Sequence, residues 1–334
     1  MIENKIIAWY EKHKRDFPWR HTKNPYYIWV CEVMSQQTQM SRVVDYYQRF
    51  LKIFPTIETL ATANEFDLLK AWEGLGYYSR VRNMKIAAQQ VLTEFAGVFP
   101  QNYQDLLKLK GVGTYTAAAI AAIAFDEPVA AVDGNVLRVY TRMIELADDI
   151  LAQKTKNTIK QRLEQEMTNK NPSSFNQGLI ELGATICLPQ NPLCLKCPLQ
   201  AECQAYKNKT TNRFPVKKAK VKQVEERYYT FIVQNQQRAV FLQKQQEKQL
   251  LHGLFALPQY ENEDNFSEVL TSLQKDINLP IHAEAVTYKG QYKHIFSHKI
   301  WIMDVYIVPV TQSNMHFHDS ELVPLANAHR KVLA

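Results

Sequence analysis

Apolar residues in the first half of the chain recur at intervals of three and four, with polar residues between them. Ile2, Ile6, Ile7 and Trp9, set among charges, predict a short amphipathic helix over 2–14 that ends before Pro18 in DFPWR. Asn24 and Pro25 read as the start of a long helix reaching about Leu51. Its apolar positions include Val30, Val33, Met34 and Val44, while Glu32, Ser35, Gln36 and Gln39 form a polar stripe. Further helices are expected over 56–70, 79–95, 101–109, 135–147, 155–169 and 173–186, with a GLGYY turn at 74–78. Past residue 226 the pattern changes: strands are expected over 228–233, 240–243, 285–288 and 299–308, with a helix near 268–276. The expected organisation is a helical region over 1–206, a linker over 207–226 and a smaller α+β domain over 227–334.

The stretch 107–138 organises the first half. Gly111 and Gly113 bracket a turn, and an alanine-rich helix follows from Thr114, the expected N-cap, to Ala124. Unsatisfied N–H groups at such a helix start favour an anion, for which a nucleic-acid phosphate is one candidate. Asp133 then stands before Gly134 and Asn135, where a carboxylate is either a helix cap or a chemical group.

Composition narrows the class. The chain has 334 residues, 46% hydrophobic and 22% charged, as in soluble globular proteins. A net charge of +7 points toward a polyanionic partner, and residues 207–222 hold seven basic residues and no acid. No apolar run is long enough to span a membrane and no signal peptide is evident, so no membrane association and a cytoplasmic location are expected. Four of the five cysteines, Cys187, Cys194, Cys197 and Cys203, follow the spacing C-x6-C-x2-C-x5-C. Such a set suits a [4Fe–4S] cluster or a zinc ion, and spacing does not choose between them. Cys31 is expected to be a small buried apolar residue. Glu32 is the single charge on its stripe, and Trp29, Val30, Cys31, Val33 and Met34 beside it would wall it into a dry cleft and raise its pKa.

These features together resemble the helix–hairpin–helix DNA glycosylase superfamily, and most closely its MutY family of adenine DNA glycosylases. The stretches that carry the likeness are PWR at 18–20, EVMSQQT at 32–38, EGLGYYSRVRN at 73–83, LKGVGTYTA at 109–117, VDGNVLR at 132–138 and FNQGLIELGATIC at 175–187. The C-terminal part is similar to that family's MutT-like domain, with HIFSH at 294–298. The implied fold is a mainly α helix–hairpin–helix glycosylase with a [4Fe–4S] cluster loop, plus a C-terminal α+β MutT-like domain. The implied activity is removal of adenine mispaired with 8-oxoguanine or guanine in double-stranded DNA, by a monomer that hydrolyses the N-glycosidic bond.

Residue by residue, the resemblance makes Glu32 the general acid and Asp133 the carboxylate facing the sugar, with Tyr115 and Asn135 placing Asp133. Trp19, Arg20 and Gln177 would line the adenine pocket, and Gln37 and Tyr77 would wedge into the duplex. The amides around Gly111, Val112 and Gly113 would hold phosphates, and Phe296, Ser297 and His298 would read 8-oxoguanine. Ser35 and Cys31 depart from the family's usual residues beside the acid. Residues 253–279 lack the glutamate-rich signature of nucleotide-hydrolysing Nudix domains, so the second domain is expected to recognise rather than cleave. The alternatives are an endonuclease III-type glycosylase with lyase activity, or a non-catalytic DNA-binding zinc module. Tyr115 stands where the lyases carry a lysine, and a phenol forms no Schiff base.

Overall fold

In the computed structural model, residues 2–167, 171–218, 223–247, 250–262, 265–296, 298–311, 314 and 316–333 are described. The chain divides into two compact units, Met1–Ala63 with Arg82–Lys220, and Asn64–Val81 with Val221–Ala334. The second unit therefore takes in a segment from within the helical half, which the sequence pattern placed with its neighbours. The boundary at 220–221 lies inside the basic linker.

The first unit is helical. Its elements are α1 (Ile2–His13), α2 (Pro25–Ser35), α3 (Met40–Ile53), α4 (Ile57–Thr62), most of α6 (Ser79–Glu94), α7 (Tyr103–Leu106), α8 (Thr114–Phe125), α9 (Gly134–Ile144), α10 (Gln153–Glu166), α11 (Pro172–Thr185) and α12 (Gln204–Lys207). Asn24 caps α2 by accepting from the Tyr26 N–H, and Pro25 fills the first turn where no donor is needed. Residues Thr116–Ile123 of α8 are all buried, which fits a helix apolar on every side and surrounded by others. A hydrophobic cluster joins Ile6 and Trp9 of α1, Val136 and Leu137 of α9, Leu163 of α10 and Phe175 and Leu179 of α11.

Three expected elements take another form. The single helix from 25 to 51 is two, α2 and α3, because the chain turns at Gln36–Gln39 with Gln37 in the left-handed region at φ 57°. Ser35 folds its hydroxyl back onto the Cys31 carbonyl at 2.8 Å, a bond that competes with continuing the helix. The helix over 56–70 is likewise split into α4 and α5 (Glu65–Ala71), since Ala63 leaves the helical region at ψ 136° and the extended Asn64 starts a new cap on the Asp67 N–H. The helix over 101–109 contracts to α7, and the expected end of α10 at 168–169 lies outside the described residues.

The second unit contains α5, the turn at 74–78, and a six-stranded sheet ordered β6–β7–β1–β2–β8, with β5 also on β1. The strands are β1 (Val224–Gln234), β2 (Val240–Phe241), β5 (Gln259–Glu261), β6 (Thr287–Ile295), β7 (Lys299–Pro309) and β8 (Phe317–His318); β3 (Gln243–Lys244) and β4 (Phe255–Ala256) form a separate pair. The long pair β1–β7 is parallel, from Val224 opposite Lys299 to Gln234 opposite Pro309. Side chains alternate across β1: Phe231 and Val233 pack toward α13 (Phe266–Ile277), whereas Ile232 packs toward α14 (Asn327–Leu333).

Helix α11 passes α9 very closely at Gly183. A Cβ there would lie 2.5 Å from the Asn135 Cβ and 3.0 Å from its Cα. Gly183→Ala is therefore expected to destabilise the helical unit by roughly 1–3 kcal/mol through overpacking. Thermal unfolding measures it, and an unchanged Tm would show that α9 yields without strain.

Candidate active site

A cavity of about 680 Å³ opens in the helical unit between α2, α8, α9 and α11. Its walls bring together Glu32 of α2, Tyr115 of α8, Asp133 and Asn135 at the start of α9, Gln177 and Glu181 of α11, and Trp19 and Arg20. Residues drawn from more than 160 positions of chain thus converge on one space.

Asp133 is the N-cap of α9. Its Oδ1 accepts from the Asn135 and Val136 N–H groups at 2.8 Å each, and its Oδ2 from Asn135 Nδ2 at 2.7 Å. Burial pushes its pKa up, and these N–H donors together with Arg138 oppose that rise. Arg138 bridges outward, giving Nη2 to Asn135 Oδ1 at 2.8 Å and Nε to the Cys187 carbonyl at 2.7 Å. The expected choice between cap and chemical group is thus no choice: one carboxylate caps the helix and faces the cavity.

Glu32 has a different environment. Trp29, Val30, Cys31, Val33 and Met34 around it are all buried. Burial raises its pKa to about 7, and only the Tyr115 hydroxyl opposes that shift, while the nearby Asp133 charge adds to it. Tyr115 is itself pushed well up by burial and by both carboxylates, so its hydroxyl remains a donor.

Trp19 stacks on Phe17 at 4.8 Å and meets the edge of Tyr47 at 5.2 Å. Arg20 donates to Glu181 Oε2 at 2.7 Å, and Arg15 Nε to Oε1 at 2.6 Å. Burial works against the Glu181 charge, but the two guanidinium groups outweigh it and the pKa is lowered. Gln177 accepts from the Tyr10 hydroxyl at 3.0 Å. Arg15 had no role in the sequence pattern, Gln36 entered only as part of the polar stripe, and Glu181 only as the carboxylate to examine should Asp133 fail. Glu181 carried one available signal, an acidic residue on the apolar face of α11 one turn after Gln177.

The helix start at the rim corrects one expectation. Gly113, not Thr114, is the N-cap of α8, with no side chain accepting from the first turn. Gly111 holds φ at 75°, and a Cβ there would sit 2.7 Å from the Asn83 Cβ. Val112 points into the core, 6% exposed, and its N–H is taken by the Leu109 carbonyl at 3.1 Å. The Val112 N–H is therefore already engaged, whereas no capping side chain accepts from the first turn of α8. Gln37 is exposed and borders the cavity. Tyr77, Phe296 and His298 belong to the other unit, and Ser297 lies outside the described residues.

Cys187, Cys194, Cys197 and Cys203 are unpaired thiols lining a second, small cavity with Arg142, whose Nη1 lies 3.4 Å from Cys187 Sγ. Among the described residues no group of three or more His, Cys, Asp or Glu is arranged for a single metal ion. Cys31 is 1% exposed, as expected of a buried residue.

Residues 30–165 match the HhH-GPD superfamily of base excision DNA repair proteins, and residues 229–334 match the NUDIX domain. The chain is 35% identical over 308 residues to the adenine DNA glycosylase of Buchnera aphidicola subsp. Baizongia pistaciae, covering 91% of this chain and 84% of that one. This chain belongs to the adenine DNA glycosylase family. The human adenine DNA glycosylase is 40% identical over 209 residues, and the match covers 60% of this chain but 38% of the human one. Among solved structures, a thermostable thymine-DNA glycosylase is similar at 28% identity and TM-score 0.55, covering 62% of this chain and 95% of that chain. An endonuclease III–DNA complex shares the fold at 23% identity and TM-score 0.54, covering 62% of this chain and 96% of that chain. The glycosylase is thus an enzyme of base excision repair, built from a helix–hairpin–helix half and a NUDIX-type half, and no described helix is long and apolar enough to cross a membrane.

The site predicts its own titration. In a carboxyl-carbon NMR titration of the glycosylase, Glu32 should titrate with a midpoint of about 7. Tyr115→Phe removes the bond that favours its charged form, so the midpoint should move upward. A midpoint in the ordinary glutamate range would show that water fills the cleft around it.

Proposed function

We propose that the glycosylase removes adenine from adenine:8-oxoguanine and adenine:guanine mispairs, acting as a monomer that cleaves the base–sugar bond and leaves the backbone intact. The observation that carries this reading is a pair of carboxylates with contrasting surroundings in one cavity. Adenine leaves poorly as an anion, so a proton must reach its ring as the bond to C1′ breaks. Glu32, with its pKa near 7, can hold that proton at physiological pH. The sugar becomes cationic at C1′, and the Asp133 carboxylate, whose charge its capping donors favour against burial, supplies the counter-charge. Three hydrogen bonds spread that charge, which suits electrostatic stabilisation. A water then adds to the cationic C1′ and gives its proton to the Glu32 carboxylate, which restores the acid. Tyr115 and Asn135 hold the two carboxylates in place.

The adenine must leave the stack to enter the cavity, and the indole of Trp19 with Arg20 and Gln177 provides a floor for it. Gln37 and Tyr77 would fill the gap it leaves in the duplex. The uncapped start of α8 offers amides to a phosphate. The lyase alternative is disfavoured because Tyr115 donates to Glu32 and provides no amine. In the second domain, the loop of Phe296, Ser297 and His298 is assigned to the opposite base, where 8-oxoguanine differs from guanine by an oxygen at C8 and a proton at N7.

The four thiols fit a [4Fe–4S] cluster. Their four sulfurs line one small cavity, and a set of four cysteines in one place is the donor set such a cluster takes. When bound, the cluster would brace the loop over 187–203 and supply no step of the reaction. Arg138 and Arg142 tie that loop to α9, the helix capped by Asp133. Purified protein should be brown with about four irons per chain; a colourless protein with one zinc would contradict the assignment.

Glu32→Gln keeps the shape but not the proton, and Asp133→Asn removes the counter-charge. Each should abolish adenine release in single-turnover assays while duplex binding persists. Release by either variant at near the wild-type rate would overturn its role. Ser297→Ala combined with His298→Ala should lower the preference for 8-oxoguanine over guanine by roughly one to two powers of ten. Excision on the two duplexes at one salt concentration measures it, and an unchanged preference would move recognition to the helical half.

A further inference from the structure

The second unit holds an arrangement that the functional reading leaves unused. Its GLGYY turn has three residues at positive φ, 96° at Gly74 and 72° at Gly76, which glycine accepts freely, and 49° at Tyr77, where a side chain is strained. Tyr77 is not a residue that adopts this conformation freely, yet it is 45% exposed and held out on the turn. Strain of this kind persists only where neighbours over-determine it. From within the turn, Trp72 Nε1 donates to the Gly76 carbonyl at 3.1 Å and Arg80 Nη2 to the same oxygen at 3.0 Å.

The remaining support comes from the far end of the chain. Glu73, immediately before the turn, accepts from Arg330 Nε at 2.7 Å and from the Leu325 N–H at 3.2 Å. Its other oxygen accepts from Lys70 at 2.8 Å, and Lys70 also donates to the Glu321 and Val323 carbonyls at 2.6 and 3.1 Å. Asn327 Nδ2 donates to the Gly74 carbonyl at 3.0 Å. The Glu73 side chain is only 13% exposed, so its pair with Arg330 is shielded from solvent and its loss would leave a charge largely buried. The same helix α14 also supports the loop assigned to the opposite base. His329, fully buried beside Arg330, packs on Trp301 at 6.1 Å, and Trp301 packs on Phe296 at 4.8 Å.

We infer that Arg330 and Asn327 of α14, through Glu73 and Gly74, are positioning residues that hold Tyr77 in its projecting conformation. One rigid strut then serves both the turn that enters the duplex and the loop that reads the base opposite the adenine. This rests on the role given to Tyr77 above. Its consequence is that the C-terminal domain contributes to base extrusion as well as to recognition.

The test uses the full chain with Glu73→Gln, Arg330→Gln and Arg330→Lys, each with Tyr77 and with Tyr77→Ala. Single-turnover adenine release is measured opposite 8-oxoguanine and opposite guanine, beside thermal unfolding. With Tyr77 present, Glu73→Gln and Arg330→Gln should each slow release roughly tenfold. Arg330→Lys, which keeps a cation opposite Glu73, should retain most of the rate. On the Tyr77→Ala background the same changes should have no further effect, because the group they position is gone. An equal slowing on both backgrounds, or a rate within about twofold of wild type for both glutamine variants, would overturn the inference. If Tyr77→Ala itself released adenine at the wild-type rate, the wedge reading would fall and this inference with it. If the wild type showed no preference between the duplexes, only the reader-loop assignment would fall, and the Tyr77 comparison would still decide this one.

Discussion

Helix α9 must be capped, and its cap is Asp133. The first N–H groups of a helix have no partners within it, and a carboxylate there satisfies two of them while meeting the positive end of the helix dipole. Both oxygens of Asp133 are engaged, to Asn135 and Val136. A group fixed in this way does not wander, and its donors favour its charge against the effect of burial. The close approach of Gly183 on α11 to Asn135 brings α9 against α11 beside the cavity that the cap faces.

Glu32 and Asp133 are both half-buried carboxylates on the cavity wall, and loss of solvent pushes both pKa values up. What differs is the opposition. Asp133 has main-chain and side-chain donors plus a nearby arginine; Glu32 has the Tyr115 hydroxyl. The charged form is thus supported by more donors at Asp133 than at Glu32, and unequal support of two carboxylates is what acid-assisted cleavage of a glycosidic bond uses. Glu181, fully buried, shows the other solution: two arginines favour its charge, and it serves to fix Arg20 and Arg15 in the cavity wall.

Much of this was legible in the chain. The buried face around Glu32, the alanine-rich α8, the DGN at the start of α9 and the cysteine spacing all have local signatures. The helix break at 36–39 did not, because it depends on Ser35 turning back to Cys31 and on Gln37 accepting a left-handed backbone. The cap of α8 shifted by one residue because Thr114 already has helical geometry and the extended residue before it is Gly113. The Arg15–Glu181–Arg20 cluster and the ties from Glu73 to Arg330 join residues more than 160 positions apart, and no local pattern encodes such pairs. For the same reason the grouping of 64–81 with the C-terminal sheet was invisible to periodicity, which treats α4 and α5 as one helical stretch.

The central claim is that burial holds a proton on Glu32 and that this proton breaks the bond. The most direct measurement is the pH dependence of single-turnover adenine release by the wild-type glycosylase, on one duplex at constant ionic strength. With a Glu32 pKa near 7, the rate should be level just below that pH and then fall about tenfold per unit as the carboxyl loses its proton. A rate that stayed constant from about pH 6 to about pH 9 would contradict it, because the proton that departs with adenine would then come from elsewhere.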